Sequence, residues 1–305
     1  MNHLTKTGVI EENTSVLRRL YILTEIIKIK ITVLVMLTTL LGYLLAASQV
    51  TINLIYPIVG IFLLACSSAA LNQYQERNID VLMERTKDRP IPSGRIKAYN
   101  VLIISISFLI AGSLLLFFKT NVVTLLIGLL AFFWYNGVYT LLKKKTAYAI
   151  IPGSLIGALP PIAGWTAAGG SVFDFDILFI SLYFFVWQIP HFWLLLLIYD
   201  KDYETGGLPT LTKIFGRKNL INITFVLILF TLLIAMLIPF IGIVNFTISS
   251  VSLIIVSLGL LYLAMCFLRS LAERKDILKM FVGINIYTLV IITLLSIDKL
   301  IKLSI

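Results

Sequence analysis

In the stretch NQYQERNIDVLMERTKDRP (residues 72–90), an amide and two carboxylates recur at every fourth position: Asn72, Glu76 and Asp80. If the stretch is helical, all three project from one face, about 6 Å apart per turn. Oxygen donors in that arrangement suit Mg2+, a hard cation that keeps part of its water and commonly shares a phosphate. A single helix face offers too few ligands, so the spacing predicts a second acidic group and a phosphorylated substrate. A second polar stretch, YDKDYETGGLPTLTKIFGRK (199–218), offers Asp200, Asp202 and Glu204. Arg85, Lys87, Arg89 and Lys201 lie among these acids, where they would neutralise diphosphate oxygens that the metal leaves free. A patch that only anchors the chain to a surface would need the cations alone.

Both stretches follow apolar runs, and composition says what those runs are. Of 305 residues, 59% are apolar and 13% charged, and the mean hydropathy is +0.99. That is more apolar surface than a soluble core absorbs. Runs long enough to cross ~30 Å of hydrocarbon recur near 25–47, 54–74, 98–118, 122–142, 148–168, 177–199, 219–241, 247–268 and 280–297. The expected fold is all-α: a polytopic membrane protein with nine transmembrane helices around a central cavity, one domain over 21–305. Residues 1–20 show no apolar core and no cleavage site, and are expected to be a polar tail rather than a signal peptide.

Nine spans put the termini on opposite sides. Every Lys and Arg except Lys119, Lys299 and Lys302 then falls on one side, which the positive-inside rule makes cytoplasmic. The N-terminus and the two polar connections belong to that side, and the C-terminus to the other. The net charge of +10 thus reports topology. Nucleic-acid binding is not expected, because no soluble basic face with interleaved aromatics is present. Cys66 and Cys266 both fall in spans and form no metal or disulfide pattern, so packing is their expected role. The two polar connections follow the second and sixth spans, four helices apart, as in an internal repeat whose polar ends converge on one cavity.

The motif N72-xxx-E76-xxx-D80 followed by MERTKDRPIPSG (83–94) closely resembles the first signature of the UbiA superfamily of intramembrane prenyltransferases, in the version of the haem O synthase subfamily. Two further segments resemble the same subfamily: VYTLLKKKTAYAIIPGSLIGALPPIAGW (138–165), and WQIPHFWLLLLIYDKDY (187–203) with GGLPTL (206–211). Together the likeness covers about residues 20–297. Two departures stand out. Glu76 replaces the more usual Asp, and D200-x-D202-x-E204 replaces Asp-x-x-x-Asp, so that Asp202 fits the subfamily's Asp-Tyr while Asp200 and Glu204 have no clear counterpart.

The resemblance implies transfer of the farnesyl group of farnesyl diphosphate to a vinyl group of haem b, with Mg2+ as cofactor. Asn72, Glu76, Asp80 and Asp202 would act in catalysis and, with Asp200, hold metal; Arg85, Lys87, Arg89, Lys143 and Lys201 would bind diphosphate. Tyr135, Tyr139 and Trp187 would face the allylic cation. His191 lies nine residues before Asp200, about 13 Å deeper along a helix, and would contact haem. The implied partners are farnesyl diphosphate, haem b, the lipid bilayer of the cell inner membrane and, downstream, haem A synthase or terminal oxidase assembly. Pro190 is expected to disrupt its helix, Pro160 and Pro161 to bend or end theirs, and Gly153 and Gly157 to allow close helix contact. Two other readings are a UbiA-type enzyme acting on a quinone-precursor ring or another tetrapyrrole, and, from a different class, a secondary transporter. A transporter would place its ionisable groups near the midplane, whereas here only His191 lies deep.

Overall fold

The computed structural model describes residues 16–269 and 273–305; most of the tail assigned to 1–20 lies outside them, as do residues 270–272. Each apolar run becomes a helix, because in hydrocarbon a backbone must satisfy its own hydrogen bonds. Nine helices among the described residues are long and apolar enough to cross a membrane: α1 (Ile29–Ala46), α2 (Ile52–Asp80), α3 (Ala98–Lys119), α4 (Val122–Leu142), α5 (Ala147–Ala167), α6 (Phe175–Thr205), α7 (Leu211–Ile241), α8 (Thr247–Arg269) and α9 (Arg274–Ser304). Phe118, Phe133, Phe240 and Tyr262 lie exposed on the outside, a surface suited to lipid rather than water. The chain is a multi-pass membrane protein.

Several expected boundaries shift, with the second and ninth spans running on to Ile52–Asp80 and Arg274–Ser304. The first span begins at Ile29 rather than 25, since the chain turns at 27–28 and residues 16–26 form a separate helix that takes in the end of the expected tail. Lys28 at that turn is left-handed (φ 51°, ψ 53°), the one such non-glycine among the described residues. The connection expected over 199–218 is mostly helical. α6 runs on to Thr205 and α7 starts at Leu211, with breaks at Tyr199 (φ −122°, ψ 25°) and at Gly216 (φ 72°, ψ 154°). Gly216 carries that positive φ without a side-chain clash. The two helix extensions therefore make a polar hairpin over the basic face. Pro190 sits inside α6 without ending it.

α1 packs against α2, α5 and α9, and its approach to α5 depends on two glycines that the sequence reading passed over. A Cβ at Gly42 would lie 1.9 Å from the Pro161 carbonyl oxygen, and one at Gly164 would lie 1.9 Å from that of Thr39. Pro160 and Pro161 accordingly stay within an unbroken stretch, Leu155–Ala167; the interruption of α5 falls earlier, at Ser154. Gly153 and Gly157 instead make room for side chains, the Tyr139 ring and Gln188. α9 closes the bundle by packing on α1 and α6, and Lys299 Nζ donates to the Leu45 carbonyl (2.9 Å). Cys66 is buried, whereas Cys266 lies exposed on α8.

Gly42→Ala is expected to lower stability by about 1–3 kcal/mol, since the obstructing atoms are backbone. Thermal unfolding in detergent measures this, with Gly259→Ala as control: a Cβ there meets nothing within 4 Å, so its midpoint should stay level or rise.

Candidate active site

The last turns of α2 carry the three polar groups picked out by spacing, and all three are buried: Asn72, Glu76 and Asp80 are 1%, 6% and 0% exposed. Buried polar and charged groups need partners. Each receives a cation from a different segment. Lys28 Nζ donates to Asn72 Oδ1 (2.7 Å), Lys143 pairs with Glu76, and Arg89 Nη1 reaches both Asp80 oxygens (2.9 and 2.8 Å). Lys28 entered the sequence reading only through its charge. Its signal was position, a lysine at the edge of the apolar run EIIKIKI. Burial, and next the Arg89 charge, push its ammonium down to about 7.

Lys143 and its neighbours reach α2 because α4 leaves regular α geometry. Trp134–Tyr139 is a π-helical segment, a form that recurs at functional sites. Thr140 Oγ1 donates to the Tyr135 carbonyl (2.8 Å) and accepts from Asn72 Nδ2 (3.2 Å). Asn136 Nδ2 donates to Ser68 Oγ (2.6 Å), and Gln75 Nε2 to the Asn136 carbonyl (3.2 Å). Hydropathy patterning does not distinguish a π segment from an α turn, so Asn136 and Thr140 were missed as site residues.

The two polar connections do meet at one face. Asp202 accepts from the backbone N–H groups of Glu84 (2.6 Å) and Arg85 (3.1 Å), four and five residues past Asp80. Its carboxylate thereby positions the loop. Asp200 is held by Arg217 (2.8 Å), and Glu204 by Lys213 (3.8 Å). Among the described residues no three His, Cys, Asp or Glu side chains gather as a metal cluster, so Asp200 and Asp202 do not join Glu76 and Asp80 in one set. Lys87 pairs with Glu84 at the rim (2.5 Å). The Arg85 guanidinium lies over the rings of Tyr199 and Tyr203, and Lys201 lines an outer cavity with Arg217 and Arg274.

Asn72, Glu76 and Asp80 are hard oxygen donors on one buried face, each in contact with a basic side chain. They fit Mg2+ shared with a diphosphate, whose oxygens and water would complete the coordination. Below them runs a series of rings. Lys143 Nζ stands 5.4 Å from the centre of Tyr139, which stacks with Tyr135 (5.8 Å) and Phe192 (6.0 Å). Phe192 meets His191 (5.5 Å), and His191 lies between Trp187 (4.9 Å) and Phe281 (5.0 Å). Trp187 Nε1 donates to the Ile284 carbonyl (3.2 Å). The His191 Nδ1 atom is buried with no hydrogen-bond partner.

A bundle of this kind, with an acidic helix end under a cationic rim and an aromatic cavity below, is that of an intramembrane prenyltransferase. The profile of the UbiA prenyltransferase family matches residues 35–285, and the chain belongs to that family. Among curated relatives, the protoheme IX farnesyltransferase of Christiangramia forsetii is 33% identical over 290 residues, 91% of this chain and 93% of the relative. That of Geobacter sulfurreducens is 39% identical over 176 residues, 58% of this chain but 65% of the relative, so the match spans just under two thirds of the relative's length. Among solved structures, a UbiA homolog from Archaeoglobus fulgidus bound to GPP and Mg2+ superposes with a TM-score of 0.68 at 14% identity, covering 93% of this chain and 100% of the other. A digeranylgeranylglyceryl phosphate synthase gives 0.73 at 17% identity, over 92% and 98%. Those two likenesses concern the fold.

Asp202→Ala removes both acceptors from the 84–85 backbone. Amide exchange at residues 84–86 is expected to quicken by tenfold or more, since bonds to charged acceptors contribute ~1.5–3 kcal/mol; unchanged protection would mean that the loop holds itself.

Proposed function

We propose that the chain is a haem O synthase, transferring the farnesyl group of farnesyl diphosphate to a vinyl group of haem b with release of diphosphate. The observation that carries this is the unbroken line of ring contacts from Lys143, at the acidic helix end, to His191 with its free Nδ1. The name of the C. forsetii relative supports it.

In this reading Asn72, Glu76 and Asp80 would hold Mg2+, and Asp202 keeps the backbone at 84–85 in place beside them. Bound Mg2+ would neutralise charge on the leaving group. Arg89, Lys143 and Lys28 exchange their present partners for diphosphate oxygens, adding fixed positive charge where negative charge develops. The allylic C–O bond breaks, leaving a delocalised cation at C1 of the farnesyl chain. Tyr139, Tyr135 and Phe192 offer ring faces that favour that cation electrostatically and keep water from it until the vinyl carbon attacks. His191 contacts the acceptor between Trp187 and Phe281. The C15 tail dissolves among apolar helix faces, so the membrane is both solvent and reservoir. The basic face is cytoplasmic by the positive-inside rule, in the inner membrane, with the N-terminus and the site on that side and the C-terminus opposite. A haem A synthase or oxidase assembly would take up the product.

Incubation of purified protein with farnesyl diphosphate, Mg2+ and haem b, followed by mass spectrometry of the extracted haem, tests the reading. The expected product is haem carrying one farnesyl group and one hydroxyl, because water adds to the cation left beside the ring once the vinyl carbon has attacked, and then loses a proton. Prenylation of an aromatic acid with haem untouched would replace this function with quinone-precursor chemistry. Lys143→Met is expected to slow turnover by about 10²–10³, the usual effect of removing a group that stabilises developing anionic charge. His191→Ala should alter the visible spectrum of bound haem, and an unchanged spectrum with unchanged affinity would remove His191 from the acceptor site.

A further inference from the structure

The basic face holds a second feature beside the acidic end of α2: a cavity of about 870 Å³, large enough to enclose much of a bulky ligand. Four cations line it, namely Arg85, Lys201, Arg217 and Arg274, over a floor that includes Ile198 and Tyr199. Two of the four are already fixed. Arg217 is steered by Asp200 and by the Leu197 carbonyl (3.1 Å), and Arg85 rests on the Tyr199 and Tyr203 rings at 5.2 and 5.7 Å. Lys201 and Arg274 have no carboxylate partner among the described residues; the acids nearest Arg274 in sequence, Glu273 and Asp276, pair with Lys275 and Lys279 instead. The three acids that line the cavity are each engaged: Glu84 by Lys87 at the rim, Asp202 by the 84–85 backbone, and Asp200 by Arg217 within the cavity itself. The cavity therefore offers uncommitted positive charge above an apolar floor.

Its position relative to His191 follows from helix geometry. On α6, Ile198 lies seven residues beyond His191; on α9, Arg274 lies seven residues before Phe281. Seven residues are two turns, about 10 Å, and return to the same helix face. His191 and Phe281 touch at 5.0 Å, while Ile198 and Arg274 line the same cavity. The faces of α6 and α9 thus run together from the cavity down to the aromatic cage.

We propose that this cavity binds the carboxylates of the acceptor: Arg274 and Lys201 take the two propionates of haem b, with Arg217 in support, and so aim the opposite, vinyl-bearing edge of the macrocycle down between α6 and α9 toward His191. The proposal rests on the acceptor reading above. It accounts for a cationic group separate from the one that serves the diphosphate, and it makes the mouth a device for orientation. An acceptor with one charged edge and one apolar edge enters in a single sense, because the reverse would bury both carboxylates without partners.

The test titrates haem b and its propionate dimethyl ester into wild-type protein in a non-ionic detergent free of anionic lipid, following visible absorption. The same titration is made with Arg274→Gln, Lys201→Gln and Arg274→Lys, and KM is measured for both substrates. Wild type should bind the diacid about tenfold or more tighter than the diester, as expected for charge-assisted bonds. Arg274→Gln and Lys201→Gln should each raise KM for haem b to a similar extent, leave that for farnesyl diphosphate unchanged and make the protein indifferent to esterification. Arg274→Lys should restore most of the difference. Equal wild-type affinity for diacid and diester overturns the clamp even if a variant misfolds, and so does a Gln variant that binds haem b like wild type. If wild type farnesylates haem b while showing either result, the clamp alone fails; if it neither binds nor modifies haem b, the acceptor reading fails and takes the clamp with it.

Discussion

Two carboxylates and an amide lie buried at the end of α2, and three cations are brought to them from separate parts of the chain. A buried charge without a partner costs several kcal/mol, so the turn before α1, the end of α4 and the 81–97 loop must all be placed before the α2 face can be buried. The pairing therefore acts as a registry device as well as a site. It also gathers three basic side chains along one buried helix face, each held by a different α2 group.

The departures from regular helix geometry cluster around this requirement. Lys28 takes a left-handed backbone, which costs of order 1 kcal/mol for a non-glycine residue, and that turn delivers its side chain to Asn72. α4 takes a π segment, which brings Asn136 and Thr140 against α2 and sets Lys143 beside Glu76. Asp202 reaches the 84–85 backbone from α6 close beyond its break at Tyr199, and the next helix passes its own break at Gly216. Strain of this kind persists where surrounding contacts over-determine it, and here those contacts are the hydrogen bond from Lys28 to Asn72, the Asn136 and Thr140 hydrogen bonds to α2, and the Lys143–Glu76 pair.

Charge and aromatic surface are arranged in layers. Ionic groups occupy the basic face, where water and diphosphate are accessible, and rings occupy the level below, where an allylic cation would form. The Tyr139 ring joins the two layers, with Lys143 above and Phe192 beside it. Gly153 matters for the same reason, since any Cβ there would displace Tyr139.

Much of this architecture was legible along the chain. Nine apolar runs, the shared face of Asn72, Glu76 and Asp80, and the distribution of Lys and Arg are local properties, fixed by side-chain chemistry and the helical repeat, and they survive into the structure. The likeness to one family rested on local motifs of the same sort. Other features required the helices to be in place. That Lys28 rather than a loop cation meets Asn72, that Asp202 serves a backbone rather than gathering with Asp80, that Pro160 and Pro161 leave α5 unbroken, and that Arg274 joins Lys201 at one cavity all depend on how closely distant segments approach. Those approaches are set by small residues such as Gly42 and Gly164 and by the partner each buried charge must find. Periodicity and hydropathy say which face a residue occupies; which group comes to lie opposite is decided by packing among segments far apart in the chain.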